Sequence, residues 1–196
     1  MIGVLIFPDF QLLDASGPIS TFEIAARYAG TAPAIRTMAV TPGPVRSTSG
    51  VEMLAFVRKQ AEGAKYVTSV CTGSLVLGAA GLLKGYRAAT HWTAMDFLSA
   101  FGAIPTRTRV CVDRNRVTGG GVTAGIDFAL TLVSLLVDRR TAEAIQLRLE
   151  YNPAPPFNSG SPETAPPEIL ALMKERIAPA QARRSEMIGR AAARLG

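Results

Sequence analysis

The sequence predicts an α/β fold in which helices cover both faces of a mostly parallel sheet, and three observations carry that expectation. Short apolar runs alternate with helical stretches along the chain, the order that parallel strands need because each crossover must return over the sheet. The first run, Ile2 to Phe7, is continuously apolar and short, as a buried strand is. At 196 residues, 48% hydrophobic and 18% charged, the chain can bury a layered core as one domain spanning 1–196, without disulfides or metals.

Ile2 to Phe7 is the first strand. Gly17-Pro18 opens a helix with Ile19, Phe22 and Ala26 on one face, Pro18 suiting its first turn. Ala34 to Val40 reads as a strand, Val51 to Ala61 as a helix burying Met53, Leu54 and Val57, and Lys65 to Val70 as a third strand. Thr72 to Leu83 is a helix of small and apolar residues, and Ala88 to Thr90 a brief strand before the helical Thr93 to Phe101. Arg107 to Val112 and Asn115 to Thr118, joined through Asp113-Arg114, form a hairpin appended to the sheet. Gly119-Gly120-Gly121 ends it, and helices follow over Thr123 to Val137 and Thr141 to Leu149. Asn152 to Pro167, rich in Pro, Gly and Ser, is a loop, and the remainder an amphipathic helical tail.

The opening residues lack the basic start and the length of a signal peptide, and no run reaches about 18 apolar residues. A cytoplasmic chain that does not enter the membrane is expected. Cys71 and Cys111 are expected to be free thiols, since disulfide frameworks belong to small secreted chains. The net charge of +6 invites a nucleic-acid reading, but the basic residues are spread, densest over Arg107 to Arg116 and in Arg183, Arg184, Arg190 and Arg194. The expectation is a solvated basic surface with no nucleic-acid partner.

In open α/β sheets ligands collect beyond the carboxyl ends of the strands. Cys71 follows Lys65 to Val70 and precedes Thr72-Gly73-Ser74, which puts its sulfur at a strand-to-helix turn. Free N–H groups and the helix dipole there would lower its pKa and make it a nucleophile; the alternative is a small buried hydrophobe. Asp14 is either a turn or helix-capping carboxylate, or an acid or base facing Cys71. His91, the only histidine, follows a strand and could approach Cys71 or be a hydrogen-bonded structural residue beside Trp92. Cys111, inside a hairpin strand, reads as packing. Gly119-Gly120-Gly121 could bind an anion through its N–H groups or make a tight turn.

Tyr66 to Leu83, with Cys71-Thr72-Gly73-Ser74 at its centre, resembles the nucleophile segment of the ThiJ/PfpI superfamily, and within it of the isonitrile hydratases. Ala89-Thr90-His91-Trp92, Thr118 to Asp127 and Asn152 to Pro162 are similar to the same family. The resemblance implies a flavodoxin-like three-layer sandwich, Cys71 as nucleophile, Asp14 as its acid/base partner and Thr72 ordering the site. It also implies Gly73, His91 and Trp92 at the substrate, no cofactor, a homodimer, and hydration of an isonitrile to the N-substituted formamide.

One feature departs from that family. Its members carry a further strand, ending in a Pro-Gly-Gly turn, where this chain passes directly from Gly50 to Val51. The favoured expectation is an excised or unobserved segment, with Gly50 and Val51 standing too far apart for a peptide bond, whose Cα–Cα spacing is about 3.8 Å. The alternative is a natural deletion, which a partner subunit repairs or which leaves the chain poorly stable and inactive. The competing function is a noncatalytic or ligand-sensing module related to the sensing half of AraC-type regulators, although the residues beyond Pro167 are too few for a helix-turn-helix region. Protease-like or glyoxalase-like relatives would be expected to carry Glu where Asp14 stands, and a glutamine amidotransferase needs a downstream His-x-Glu that a lone His91 does not supply.

Overall fold

The computed structural model describes residues 1–6, 12–29, 35–38 and 50–195. In chain order it contains β1 (Ile2–Leu5), α1 (Leu12–Ala29), β2 (Ile35–Met38), α2 (Gly50–Glu62), β3 (Val67–Ser69), α3 (Gly73–Ala79) and β4 (Arg87–Ala88). A 3₁₀ helix (Trp92–Phe101), β5 (Ile104–Pro105), β6 (Val110–Asp113), β7 (Arg116–Gly119), α4 (Ala124–Leu136), α5 (Arg139–Arg148) and α6 (Pro167–Ala192) follow. Phe7, Ala34, Ala39 and Val40, at the ends of the expected strands, lie outside the described residues. No described helix is long and apolar enough to cross a membrane.

Pairing is parallel at β1–β2, β3–β7 and β4–β5, and antiparallel at β6–β7. Two apolar clusters flank the strands. Phe22 of α1, Val117 of β7, Phe128 and Leu132 of α4 and Ile145 of α5 form one. Val67 of β3, Leu77 of α3, Leu83, and Met95 and Leu98 of the 3₁₀ helix form the other. Neighbouring strands thus feed opposite layers, which is the helix–sheet–helix sandwich that the sequence predicts.

Three local expectations are corrected. Pro18 lies well inside α1 rather than in its first turn, because the helix begins at Leu12 and takes in Asp14. Lacking an N–H, Pro18 leaves the Asp14 carbonyl without its helical donor. Helix α3 stops at Ala79, where Gly81 turns left-handed (φ 74°) and the N–H groups of Gly81 and Leu82 close on the Gly78 and Leu77 carbonyls at 2.8 and 3.0 Å. The hairpin turns at Arg114-Asn115, and it is no appendage: β7 lies between β6 and β3, the strand that leads to Cys71. Gly50 and Val51 both fall within α2.

The sheet is nevertheless divided. Among the described residues no ladder joins β1–β2 to β3–β7–β6, and Ile2, Val4 and Leu5 of β1 are only half-buried. An interior strand of a doubly covered sheet would be bonded on both edges and buried on both faces. The basic run, for its part, is largely engaged within the fold: Arg107 faces Glu163 and Asp96, Arg109 faces Asp127, and Arg116 donates to the Leu82 carbonyl at 2.7 Å. Arg114 donates to the Gly85 carbonyl at 2.7 Å and stacks 3.5 Å from the Tyr86 ring centroid.

Candidate active site

Cys71 lies in the turn between β3 and α3 with its backbone left-handed, φ 52°. A residue bearing a β-carbon adopts that angle at a cost of about 1–2 kcal/mol, so the surroundings must hold it there. They do so from three sides. The Cys71 N–H donates to the carbonyls of Gly119 (3.1 Å) and Gly120 (2.8 Å), and its own carbonyl accepts from the Thr90 hydroxyl at 2.7 Å. Beneath the turn, Ser74 Oγ donates to the Ala89 carbonyl at 2.6 Å and lies 2.8 Å from Ser69 Oγ, while the Ala89 N–H donates to Thr118 Oγ1 at 2.8 Å.

The sulfur meets three groups: the Asp14 carboxyl and the backbone N–H groups of Val122 and Thr72. Asp14 reaches it from the first turn of α1, half-buried, with Oδ1 enclosed and without a hydrogen-bond partner among the described residues. Burial raises the carboxyl's pKa, and its hydrogen bond with Cys71 draws it partly back down. The thiol is pushed up by burial first and the Asp14 charge second, against the two N–H groups. The expectation of a lowered Cys71 pKa is therefore overturned: the helix N-terminus acts in the expected direction but is outweighed. Thiol and carboxyl thus both hold their protons to higher pH than each would alone in water.

The other expected site residues divide. Thr72 contributes its N–H to the sulfur. The Gly73 N–H is already taken by the Val70 carbonyl at 3.0 Å. His91 caps the 3₁₀ helix, its Nδ1 lying 3.3 Å from the Thr93 N–H and 2.8 Å from Thr93 Oγ1. Burial first, then the charge of Arg184, lowers its pKa. Its ring lies against the glycine turn, since a β-carbon on Gly121 would fall 2.3 Å from His91 Cδ2. The described contact of Trp92 is with the His91 ring, 5.9 Å between centroids. Cys111 is buried in β6 opposite Thr118, and both cysteines are free thiols.

The glycine turn acts through both its carbonyls and its N–H groups: Gly119 and Gly120 accept from Cys71, and Val122 donates to the sulfur. Val122 and Thr90 carry no chemistry of their own in the sequence. The only signal for them was position, directly after β7 and β4.

The family model described as DJ-1/PfpI matches residues 41–135. An isonitrile hydratase of Pseudomonas putida is 45% identical, over 99% of this chain and 97% of its own length. That alignment runs over 228 positions against a chain of 196 residues, so at least 32 positions of the relative stand opposite no residue here. The crystal structure of a ThiJ/PfpI family protein from Pseudomonas syringae superposes with a TM-score of 0.81 at 36% identity, covering 97% of this chain and 89% of that one. The transcriptional regulator GbdR of Pseudomonas aeruginosa is 36% identical over 63% of this chain, which spans only 35% of the regulator. By fold, by the turn that presents Cys71 and by relationship along nearly its whole length, the chain belongs to the DJ-1/PfpI family.

Proposed function

We propose that the chain is a cofactor-independent isonitrile hydratase, a hydro-lyase acting through Cys71. The observation that carries this reading is the Asp14–Cys71 pair: a thiol bonded to a half-buried carboxylate whose second oxygen has no partner among the described residues. As sulfur attacks the terminal isonitrile carbon, Asp14 takes the thiol proton and delivers it to the same carbon, giving the thioimidate R–N=CH–S–Cys71. Water then adds to that carbon, its proton drawn off by Asp14 and passed to nitrogen. The tetrahedral adduct collapses, the C–S bond returns its electrons to sulfur, the hydroxyl proton restores the thiol, and R–NH–CHO leaves. Asp14 Oδ1 is the free acceptor for the attacking water. Thr72 orders the sulfur through its N–H, and Gly73, His91 and Trp92 border the substituent R.

The same reading places the positions absent from this chain between Gly50 and Val51, makes the protein a cytoplasmic homodimer, and assigns it neither a nucleic-acid nor a membrane partner. Its test is formamide production from a simple alkyl isonitrile. Turnover by the wild-type chain, absent in Cys71→Ala, supports the reading. No formamide from a folded wild-type chain overturns it.

A further inference from the structure

The Val122 N–H that faces the Cys71 sulfur belongs to a turn held from outside the site by one residue, Arg109. The Arg109 carbonyl accepts from the Gly120 N–H at 2.8 Å, and the Gly120 carbonyl in turn accepts from the Cys71 N–H at 2.8 Å. The Arg109 guanidinium reaches the other end of the turn. Its Nη2 donates to Thr123 Oγ1 at 3.4 Å, and Nε and Nη2 donate to Asp127 Oδ2 at 3.0 and 2.5 Å. Asp127 is in the first turn of α4. The same Oδ2 accepts the Tyr151 hydroxyl at 2.8 Å. Tyr151 is fixed in its turn by its own N–H on the Gln146 carbonyl at 3.1 Å, where α5 gives way to the loop before α6.

We propose that Asp127, through Arg109 and Tyr151, is a positioning residue that sets the Val122 N–H against the nucleophilic sulfur. Gly120 to Thr123 is a short run with one end tied to the Arg109 backbone and the other to its side chain, and Asp127 fixes the orientation of that side chain. A fork of two N–H donors and one hydroxyl on a single oxygen defines direction as well as attraction. An isolated exposed ion pair would not do so. None of these groups touches the substrate; their effect is on the sulfur's environment.

The inference rests on Cys71 being the nucleophile, but its readout does not require an isonitrile to be turned over. The rate of Cys71 alkylation by iodoacetamide is followed against pH by site-resolved mass spectrometry, so that Cys111 is counted separately. In Asp127→Asn the midpoint for Cys71 moves to higher pH, because a donor to the thiolate is misplaced, while that of Cys111 stays put. Tyr151→Phe, which leaves the Arg109 fork in place, moves it less. Turnover in Asp127→Asn falls between about tenfold and a hundredfold with KM little changed, as expected when a group remote from the chemistry shifts the reacting geometry. A melting temperature lowered with the Cys71 midpoint unmoved would make the cluster a structural brace and overturn the proposal. An equal shift in Tyr151→Phe and Asp127→Asn would overturn the assigned role of Arg109. If wild-type turnover is absent while the Cys71 midpoint shifts as described, the positioning role stands and the assigned reaction falls.

Discussion

The hydrogen bond between Cys71 and Asp14 works in opposite directions on its two partners, drawing the carboxyl's pKa down and pushing the thiol's up. Burial raises both. Each group therefore releases its proton at higher pH than it would in water.

Asp14→Asn separates these two effects. Removing the negative charge lowers the Cys71 pKa, so alkylation at a fixed pH just below the wild-type midpoint should accelerate. Isonitrile turnover should instead fall by about 10²- to 10⁴-fold, the usual contribution of a positioned acid–base group. Parallel alkylation and formamide assays check both; alkylation slowed in step with turnover would mean that Asp14 activates the sulfur rather than managing the proton.

His91 makes stability depend on mildly acidic pH. Its folded-state pKa lies below the ordinary 6.5, so the unfolded chain takes up the proton first. The stability at stake is fully present above that ordinary value and is lost as pH falls through it toward the lowered one. Denaturant melts of wild type and His91→Gln should diverge from one another as pH drops below that range and run parallel above it. Parallel curves throughout would remove His91 as the cause.

Gly121 is where backbone meets the imidazole. Gly121→Ala puts a methyl group within 2.3 Å of His91 Cδ2, so ring or turn must shift, at a cost of about 1–3 kcal/mol. Gly63→Ala, with nothing within 4 Å, is the matched control. Thermal melts of the two variants, set beside their turnover, should show loss of both properties in the first and of neither in the second.

Thr118 is fully buried and accepts the Ala89 N–H. Thr118→Val keeps the shape and strands that donor, for an expected loss of about 1–3 kcal/mol. Chemical denaturation would measure it, and a neutral result would mean that the Ala89 N–H finds another acceptor.

What could be read from the sequence was local. Cys71 announces itself because a strand, a small-residue turn and a helix are contiguous, and Asp14 because it stands a few residues beyond the first strand. The Thr118 acceptor and the glycine turn after it become part of the site because β3 pairs with β7, distant in sequence, and the Thr90 hydroxyl because it follows β4. No local pattern encodes that register. The sign of the Cys71 shift failed for the same reason: the helix N-terminus is a neighbour in sequence, whereas burial and Asp14 are neighbours in space. Pro18 misled because its preference for a first turn is a preference of isolated segments. In the fold Pro18 instead packs inside α1 against α4, where a β-carbon on Gly125 would lie 3.2 Å from its ring.

The left-handed backbone at Cys71 has a consequence for how such a protein drifts. Glycine is the residue that fits φ 52° without steric cost, so Cys71→Gly should melt above Cys71→Ala even though both are equally inert. On that expectation the scaffold with glycine at position 71 outlasts the one with alanine. A lineage selected only for folding, or only for sensing a ligand, would be under steady pressure to exchange that cysteine for glycine. A thiol at this angle is the choice that the proposed chemistry, and not folding, would favour.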